Sequence, residues 1–435
     1  MSKVAGIIAE YNPFHMGHQY QLEETRRQTD ADYIVVVMSG NFVQRGEPAL
    51  FEKSFRISMA LLGGADLVLE LPAPFASGSA EDFASGAISL LEGLGCVDFL
   101  SFGSESGKLW PLQEAAAILA SEPASFTDTL KEQLSKGQPY PKAQAAALTA
   151  CGISPQHSSV LKDPNNLLGT EYLKAIIRQK SRLKPIAVRR LGCGYHDRLP
   201  ETAETYASAS GIRTAILRER ETARLQASQI PWQVSPSILS QIPRKLHPIY
   251  QSRLLFPLCP DDSSMLLNYQ LLACMDRGIP FQEFSDISPE LAGRLKRQAF
   301  SFQPFSQRIQ ALKTRQYTYT RISRSLLHII LNIRQEDMDF YRREGYCSYA
   351  RILGFWRRSA PLLKKIKEQS TIPVIAKASD APKILSEKEQ RLWNQDCCCS
   401  HIYQTILQQA CKELAADSAA FLPLTNEYSR PLVIL

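Results

Sequence analysis

The chain has 435 residues, more than one ordinary domain needs, and a formal net charge of +7. It contains no stretch of eighteen apolar residues and does not open with a basic segment followed by an apolar core. We therefore expect a cytoplasmic protein with no membrane association. The 10 cysteines show no paired CxxC spacing, which argues against a structural zinc site or a disulfide framework. Cys397, Cys398 and Cys399 are adjacent, and three adjacent thiols fit one metal ion poorly, so we predict no metal site.

The first predicted element is a buried strand over residues 4–9, followed by a turn at Asn12 and Pro13. A helix is predicted from His15 to about Thr29. His15 and His18 then share one face of a helix start, where backbone N–H groups are unpaired and the helix dipole is positive. Gly17 lets a large polyanion approach the backbone. These features favour a triphosphate site, and the alternative is a histidine pair that caps the helix or binds a metal.

Further apolar runs at residues 33–38, 67–70, 99–102 and 184–190 alternate with helical patterns such as 52–62 and 80–91. This alternation predicts an α/β fold, in which a parallel sheet carries helices on both faces. Ligands of such sheets bind at the carboxyl ends of the strands, where His15 and His18 are expected.

Polar segments follow several of these elements. Residues 39–49 are predicted either to close on a ligand or to form a surface turn, and Gly103 would let an adenine or ribose lie against the backbone. Residues 163–166 either cap a helix or read a base edge through their amides. Ser210 and Arg213 belong to a hydroxyl-rich helix start that suits β- and γ-phosphates.

The organisation changes near residue 215, after which helical patterns with proline-containing joints prevail. No acidic residue occurs between Leu291 and Ile330, whereas arginines, lysines and aromatic residues are frequent there. This composition favours RNA with unpaired bases, and the alternative is a solvated helix face with a few core aromatics. The predicted phosphate contacts are Arg294, Lys296, Arg297, Arg315, Arg321 and Arg324, with Tyr317 and Tyr319 as predicted stacking partners.

A strand, then H-x-G-H at a helix start, then a late S-x-S-x-x-R resembles the nucleotidyltransferases of the HIGH superfamily. Longer strings are more specific and resemble the bacterial tRNA(Met) cytidine acetate ligase family. They are residues 9–18 (AEYNPFHMGH), 37–42 (VMSGNF), 44–49 (QRGEPA), 64–72 (GADLVLELP), 102–105, 164–166, 195–197, 315–321 (RQYTYTR) and 352–354. The resemblance implies a Rossmann-like nucleotidyltransferase domain, which we place at residues 1–215, and a mainly α-helical tRNA-binding region at residues 216–435.

The resemblance also implies the activity and its site. The family activates acetate with ATP as acetyl-adenylate, releasing pyrophosphate, and then acetylates the 4-amino group of the wobble cytidine of elongator tRNA(Met). His15 and His18 would be catalytic, and Arg190 and Arg213 would hold phosphate oxygens. Mg²⁺ is expected because nucleotide triphosphates usually carry it, and the sequence offers no dedicated carboxylate cage for it. The implied ATP-binding residues are Ile8, Ala9, Glu10, Tyr11, Asn12, Pro13, Phe14, His15, Met16, Gly17, His18, Gln19, Tyr20, Gln21, Gly103, Asn165 and Arg190.

Two other functions fit part of the sequence. A small-molecule adenylyltransferase, such as those acting on pantetheine phosphate or nicotinamide mononucleotide, shares the N-terminal half but has no use for a basic stretch without carboxylates. A non-catalytic RNA-binding protein would keep the fold without turnover, and the presence of both histidines argues against it.

Overall fold

The computed structural model describes residues 2–191, 206–225, 234–252, 255–314, 317–414 and 426–435. Arg315 and the predicted motif at residues 195–197 lie outside the described residues. The strands are β1 (Val4–Ala9), β2 (Tyr33–Ser39), β3 (Phe42–Val43), β4 (Glu47–Pro48), β5 (Leu67–Leu71), β6 (Phe99–Ser104), β7 (Lys184–Arg189), β8 (Ala350–Phe355), β9 (Val374–Ile375) and β10 (Val433–Ile434).

The helices of the first half accompany the sheet and also form a small cluster of their own. They are α1 (Met16–Thr29), α2 (Lys53–Gly63), α3 (Ala73–Ala76), α4 (Ala80–Gly93), α5 (Leu109–Ser121), α6 (Ala124–Ser135), α7 (Tyr140–Ala150), α8 (Pro155–Ser158), α9 (Pro164–Arg178) and α10 (Ala209–Leu225).

Helices prevail in the second half, as its proline-jointed pattern predicts. They are α11 (Pro236–Leu239), α12 (His247–Tyr250), α13 (Ser264–Asp276), α14 (Pro289–Gln298), α15 (Phe305–Leu312), α16 (Tyr319–Leu331), α17 (Gln335–Arg343), α18 (Ala360–Gln369), α19 (Ala381–Ile384) and α20 (Glu387–Leu414). No helix in these described ranges is long and apolar enough to cross a membrane.

The main sheet has the strand order β10-β8-β5-β2-β1-β6-β7, and β9 pairs with β8. The five adjacent strands β5, β2, β1, β6 and β7 pair in parallel, which confirms the predicted parallel sheet. Alternate residues of β2 enter opposite cores: Val35 and Val37 belong to one apolar cluster, and Ile34 and Val36 to the other. Both faces of the sheet are therefore covered, as expected for a parallel sheet between helices.

The second half also supplies strands. β8 pairs with β5 in antiparallel orientation, and β10 pairs with β8, so the chain returns to extend the edge of the N-terminal sheet. The domain boundary near residue 215 stays a prediction, and the division at that point does not coincide with the limits of the sheet. Local hydrophobic pattern alone cannot show this return, because strand pairing depends on partners far away in the sequence.

A buried ionic network joins the same two halves. Lys53 Nζ lies 2.6 Å from Glu70 Oε1 and 2.7 Å from Glu427 Oε2, and the Arg351 guanidinium lies within 3.0 Å of both carboxylates. Burial and the nearby Glu70 raise the pKa of Asp396, on the adjoining helix α20, to about 7. Removing one partner of such a network leaves an uncompensated buried charge, which destabilises a protein by about 3–5 kcal/mol.

Candidate functional site

A cavity of about 500 Å³ opens at the carboxyl ends of β1 and β6, and a smaller recess adjoins it beside β7. This is the edge of the sheet where the sequence predicts a ligand. The cavity also receives side chains from α4, α9 and α10, from the hairpin β3–β4, and from α16 of the second half. One site is therefore assembled from elements that are more than 300 residues apart in the chain.

The two histidines cap helix α1 reciprocally. His15 is the N-cap residue with extended backbone, and its Nδ1 accepts a hydrogen bond from the Gly17 N–H at 3.0 Å. The His18 Nδ1 accepts one from the His15 N–H at 3.3 Å, and the two ring centroids are 3.9 Å apart. A side chain at position 17 would crowd the pair, since a Cβ there would lie 2.9 Å from His15 Cε1. The helix start therefore fixes both rings at the cavity wall.

This arrangement also sets the protonation of the rings. Because each Nδ1 accepts a hydrogen bond, the neutral ring carries its proton on Nε2 and can donate it to a ligand. Burial and the nearby Arg190 and Arg213 lower the pKa of His15 to about 3. Burial, together with His15 and Arg190, lowers the pKa of His18 well below its usual range. Both imidazoles are neutral hydrogen-bond donors at neutral pH, next to a helix start that favours anions.

Two arginines flank the histidines. The Arg213 NH1 group donates to the Asn12 carbonyl oxygen at 2.6 Å, which holds the guanidinium against the turn before α1. Arg190 follows β7, and its side chain passes over Gly103, where a Cβ would lie 3.4 Å from Arg190 Cγ. Both line the cavity. They place positive charge on two sides of the neutral imidazoles, as a polyphosphate site requires.

Residues 163–166 order the loop after β6. The Asn166 Oδ1 accepts hydrogen bonds from Ser104 Oγ at 2.7 Å and from the Glu105 N–H at 3.2 Å, while Asn165 Nδ2 donates to Glu105 Oε1 at 2.6 Å. Asp163 is the N-cap residue of α9 but makes no side-chain cap hydrogen bond. The asparagine pair thus fixes the Gly103 strand end, and Asn165 itself lines the cavity.

The polar loop at residues 39–49 forms the hairpin β3–β4, and Gln44 and Arg45 at its tip line the cavity. The hairpin tip therefore lies at the cavity, which is the position that closure on a ligand requires. Gly46 has φ +78°, and a Cβ there would lie 2.3 Å from the backbone nitrogen of Arg324, so only glycine lets the hairpin contact α16 this closely. The Gln44 N–H donates to Glu10 Oε1 at 2.9 Å. Glu10 is the one carboxylate on the described cavity wall.

Part of the cavity wall is apolar. It is formed by Phe83 of α4, Phe102 of β6, and Leu168 and Tyr172 of α9. Burial raises the pKa of Tyr172, so its hydroxyl stays protonated. Helix α16 adds Thr320 and Arg324 to the wall. The sequence alone did not predict the apolar residues or Thr320 as site components, and it predicted Arg324 as a phosphate contact of RNA rather than as part of this cavity.

Most of the predicted ATP-binding residues lie together at this cavity or its recess. The residues that line one or the other are Ile8, Ala9, Glu10, Tyr11, Asn12, His15, Gly17, His18, Tyr20, Gln21, Gly103, Asn165, Arg190, Ser210 and Arg213. The four that do not line it are Pro13, Phe14, Met16 and Gln19. Phe14 is fully buried in the core, and its ring packs under Gly63.

The predicted RNA-binding residues divide by exposure. Lys296 and Arg297 are exposed at the end of α14, and Arg321 is exposed over the Tyr317 ring. Arg294 donates to the Ala311 carbonyl oxygen at 3.2 Å, and Arg324 pairs with Asp286 at 2.9 Å.

The two tyrosines also differ. Tyr319 is 36% exposed, but Tyr317 is 6% exposed and its hydroxyl lies 2.6 Å from Ser288 Oγ. Tyr317 is therefore a core residue and cannot present its ring to an unpaired base. The sequence pattern could not separate the two, because both belong to the same polar string at the start of α16.

Comparison with known proteins identifies relatives along nearly the whole chain. The family model described as HIGH Nucleotidyl Transferase matches residues 2–418. The tRNA(Met) cytidine acetate ligase of Acetivibrio thermocellus is 38% identical over 384 residues, covering 87% of this chain and 89% of the relative. The protein of the same name from Halothermothrix orenii is 38% identical over 383 residues, covering 86% of each chain.

Solved structures agree with these sequence matches. The crystal structure of Thermotoga maritima TmcAL bound with alpha-thio ATP superimposes with a TM-score of 0.85 at 27% identity, covering 100% of this chain and 99% of that one. The apo form of the same protein gives a TM-score of 0.86 at 28% identity. The likeness extends through both halves of the molecule, including the strands that the second half adds to the sheet.

Proposed function

Because the chain belongs to the HIGH nucleotidyl transferases and, among them, to the tRNA(Met) cytidine acetate ligase family, we propose that it activates acetate with ATP and acetylates the wobble cytidine of elongator tRNA(Met). The observation that carries this proposal is the shared cavity wall. The two-histidine helix start of the sheet and helix α16 of the basic second half line the same space. A nucleotide site that also opens onto an RNA-binding region suits a tRNA ligase better than a small-molecule adenylyltransferase.

In the activation step, an acetate oxygen attacks the α-phosphorus of ATP, and the bond to the pyrophosphate oxygen breaks. The adenosine would lie against Gly103, with the phosphates on the start of α1 and beside Arg190. The Nε2–H groups of His15 and His18 would bind the oxygens on which charge accumulates, and Arg213 would bind the departing pyrophosphate. Asn12 adds a donor, since its buried Nδ2 has no protein partner among the described residues and the residue lines the cavity.

In the transfer step, the cytosine 4-amino nitrogen attacks the acetyl carbonyl carbon, the bond to the AMP oxygen breaks, and one proton leaves the nitrogen. The apolar part of the cavity wall, on α4, β6 and α9, would hold the base. Glu10 would accept the proton, because one of its oxygens is held by the Gln44 N–H and the carboxylate lies on the cavity wall.

A glutamine at position 10 separates the two steps. Glu10→Gln keeps an oxygen that can accept from the Gln44 N–H, so we expect pyrophosphate exchange within a few-fold of the unsubstituted protein. Acetyl transfer to tRNA should fall by about 100-fold or more, the range for losing a general base. Glu132→Gln is the matched control, since Glu132 is exposed on α6 and does not line the cavity. Equal transfer rates for both variants would exclude Glu10 as the proton acceptor.

We propose that Mg²⁺ enters with the nucleotide and is held by its phosphates. In the described part of the chain no group of three His, Cys, Asp or Glu side chains could hold a metal ion, so these residues offer no cage for the cation. The cation would neutralise phosphate charge beside Arg190 and Arg213.

We further propose that the protein acts on tRNA in the cytoplasm. Residues 1–215 would activate acetate, and residues 216–435 would bind the tRNA through Lys296, Arg297, Arg321 and Arg324.

Acetate-dependent exchange of pyrophosphate into ATP tests the first step, and mass analysis of tRNA(Met) incubated with ATP and labelled acetate tests the second. We expect exchange to require acetate and the label to appear as N4-acetylcytidine. Exchange that requires a phosphorylated co-substrate instead would indicate a small-molecule adenylyltransferase. No exchange with any acid would indicate a protein that binds RNA without catalysis.

A further inference from the structure

Two phenylalanines project from the loop between α14 and α15. Phe300 is 74% exposed and Phe302 is 71% exposed, whereas the neighbouring Phe305 is fully buried. The solvent face of α13 beside this loop is also apolar, with Met265, Tyr269 and Leu272 exposed at helical spacing. Monomeric proteins seldom expose apolar side chains in such a cluster without using them for binding.

The loop is held by a buried arginine. Arg308 is fully buried, and its guanidinium donates to the carbonyl oxygens of Gln298 at 3.0 Å and Ser301 at 2.6 Å, and to Asn268 Oδ1 at 2.8 Å. Asn268 in turn donates to the Gln303 carbonyl oxygen at 2.9 Å. These contacts attach the loop to α13 at both of its ends.

Arg308 forms no ion pair within the described residues, and burial lowers its pKa. Burying a charge without a carboxylate partner is unfavourable, so the fold gives up stability to keep this loop in one shape. Packing alone does not require that shape, because both rings point into solvent. Arg308 therefore holds the loop rigidly in a shape that exposes both phenylalanine rings to solvent.

Exposed positive charges directly precede the loop in the chain. Lys296 and Arg297 precede it on α14 and are exposed, with no ion-pair partner in the described ranges. The carboxylate beside the loop is engaged: Asp261 accepts hydrogen bonds from the Ser306 N–H at 2.7 Å and the Ser306 Oγ at 2.8 Å. Exposed rings beside unpaired cations match nucleic acid, whose bases stack while its phosphates pair with the cations.

The loop is linked to the cavity through its neighbours. The turn at Pro260–Ser263, whose Asp261 binds Ser306 of α15, also contacts β4 of the hairpin whose tip lines the cavity. Tyr319 begins α16 and precedes Thr320, which lines the cavity. An RNA loop whose cytidine occupies the cavity would thus extend toward Phe300 and Phe302.

We propose that Phe300 and Phe302 form a stacking platform for unpaired bases of the tRNA loop that carries the acceptor cytidine. Arg308 fixes the platform, and Lys296 and Arg297 bind the adjoining phosphates. This inference rests on the proposed tRNA ligase function and adds the residues that read the single-stranded character of the substrate. The aromatic faces accept any base, so the platform recognises unpaired structure rather than sequence.

The test compares leucine and tryptophan at both positions. Phe300→Leu/Phe302→Leu keeps an apolar surface but removes the aromatic faces, and we expect affinity for a tRNA(Met) anticodon stem-loop to fall about 10-fold or more. Phe300→Trp/Phe302→Trp should retain affinity, and RNA binding should quench the fluorescence of the two introduced tryptophans. Tyr140→Ala removes a similarly exposed ring from the first half and should change nothing. A fully paired RNA duplex of equal length should bind the leucine variant and the unsubstituted protein equally.

The outcomes distinguish an error in the proposed stacking platform from an error in the proposed ligase function. If the unsubstituted protein exchanges pyrophosphate without acetate or does not bind the stem-loop, the proposed function fails and the platform with it. If it binds and the leucine variant binds equally well, the platform alone is wrong. Loss of a dimer in the leucine variant, measured by light scattering and accompanied by unchanged RNA affinity, would instead show that this face joins two copies of the chain.

Discussion

The loops around the cavity and the loop at residues 298–303 are each held by one buried arginine, but the first form a concave surface and the second a convex one. Arg56 is fully buried and donates to the carbonyl oxygens of Phe51, Glu10, Ser39 and Gly40, which shapes the loops of the cavity. Arg308 does the same for the loop at residues 298–303. Neither guanidinium forms an ion pair among the described residues. The first arginine supports a concave site and the second a convex one that exposes two rings.

The concave cavity and the convex loop surface differ in how the contributions of their residues are distributed. In the concave region, neutral donors and cations converge on one small volume, so losing one group should affect chemistry strongly. In the convex region, contacts are spread over an exposed surface, so each residue should contribute a limited share of affinity. The experiments below test whether chemistry and RNA binding separate along this line.

The largest effect is expected at the histidine pair. His15→Ala or His18→Ala removes an Nε2–H donor and half of the reciprocal cap, and should lower acetate-dependent pyrophosphate exchange by about 100-fold or more. tRNA affinity in a filter-binding assay should be unchanged, because the exposed cations lie in the other region. His157→Ala, outside the cavity, is the control. Near-normal exchange in both His15→Ala and His18→Ala would show that neither histidine takes part in the activation step.

A smaller effect is expected from Arg190, which lines the cavity, whereas the adjacent Arg189 ends β7 and lines only the recess. Arg190→Ala should raise the KM for ATP by about 10-fold, the range for losing a hydrogen bond to a charged group. Arg189→Ala should change it much less. If Arg189→Ala is the damaging variant, the phosphate contact belongs to the neighbouring residue.

The lowered histidine pKa values predict a pH dependence of stability in the absence of ATP. His15 has a folded-state pKa of about 3 and an unfolded value near 6.5, so the unfolded chain binds more protons between these values. The stability is thus fully present above about pH 6.5 and is lost as the pH falls, by about 1.4 kcal/mol per pH unit. His15→Asn, which can still cap α1, should reduce this slope in urea unfolding between pH 6 and 4. An unchanged slope would contradict a neutral buried His15.

The smallest single effects are expected in the basic region. Lys296→Gln, Arg297→Gln and Arg321→Gln should each lower the slope of log affinity against log salt by about 0.7 to 0.9 per phosphate contact. Exchange of pyrophosphate should be unaffected. Lys131→Gln, which removes an exposed charge from α6, is the matched control. Identical slopes for all four variants would mean that these residues form a solvated face.

The sequence alone predicted the local features of the catalytic end. The histidine spacing around Gly17, the strand before it and the helix after it are consecutive in the chain, so hydrophobic pattern and capping chemistry were enough to locate them. The strands at Val4–Ala9 and Lys184–Arg189 and the helix from His15 to Thr29 are confirmed within one residue at each end.

Only the tertiary structure decided which groups face a ligand. Tyr317 and Phe302 both belong to the same basic stretch, yet one packs in the core and the other is exposed, because burial depends on the helices that cover each residue. The return of β8 to pair with β5, and the contribution of Thr320 and Arg324 to the cavity wall, depend on contacts hundreds of residues apart. Sequence periodicity carries the local backbone preference and the apolar face of an element, but its partners are chosen by long-range packing.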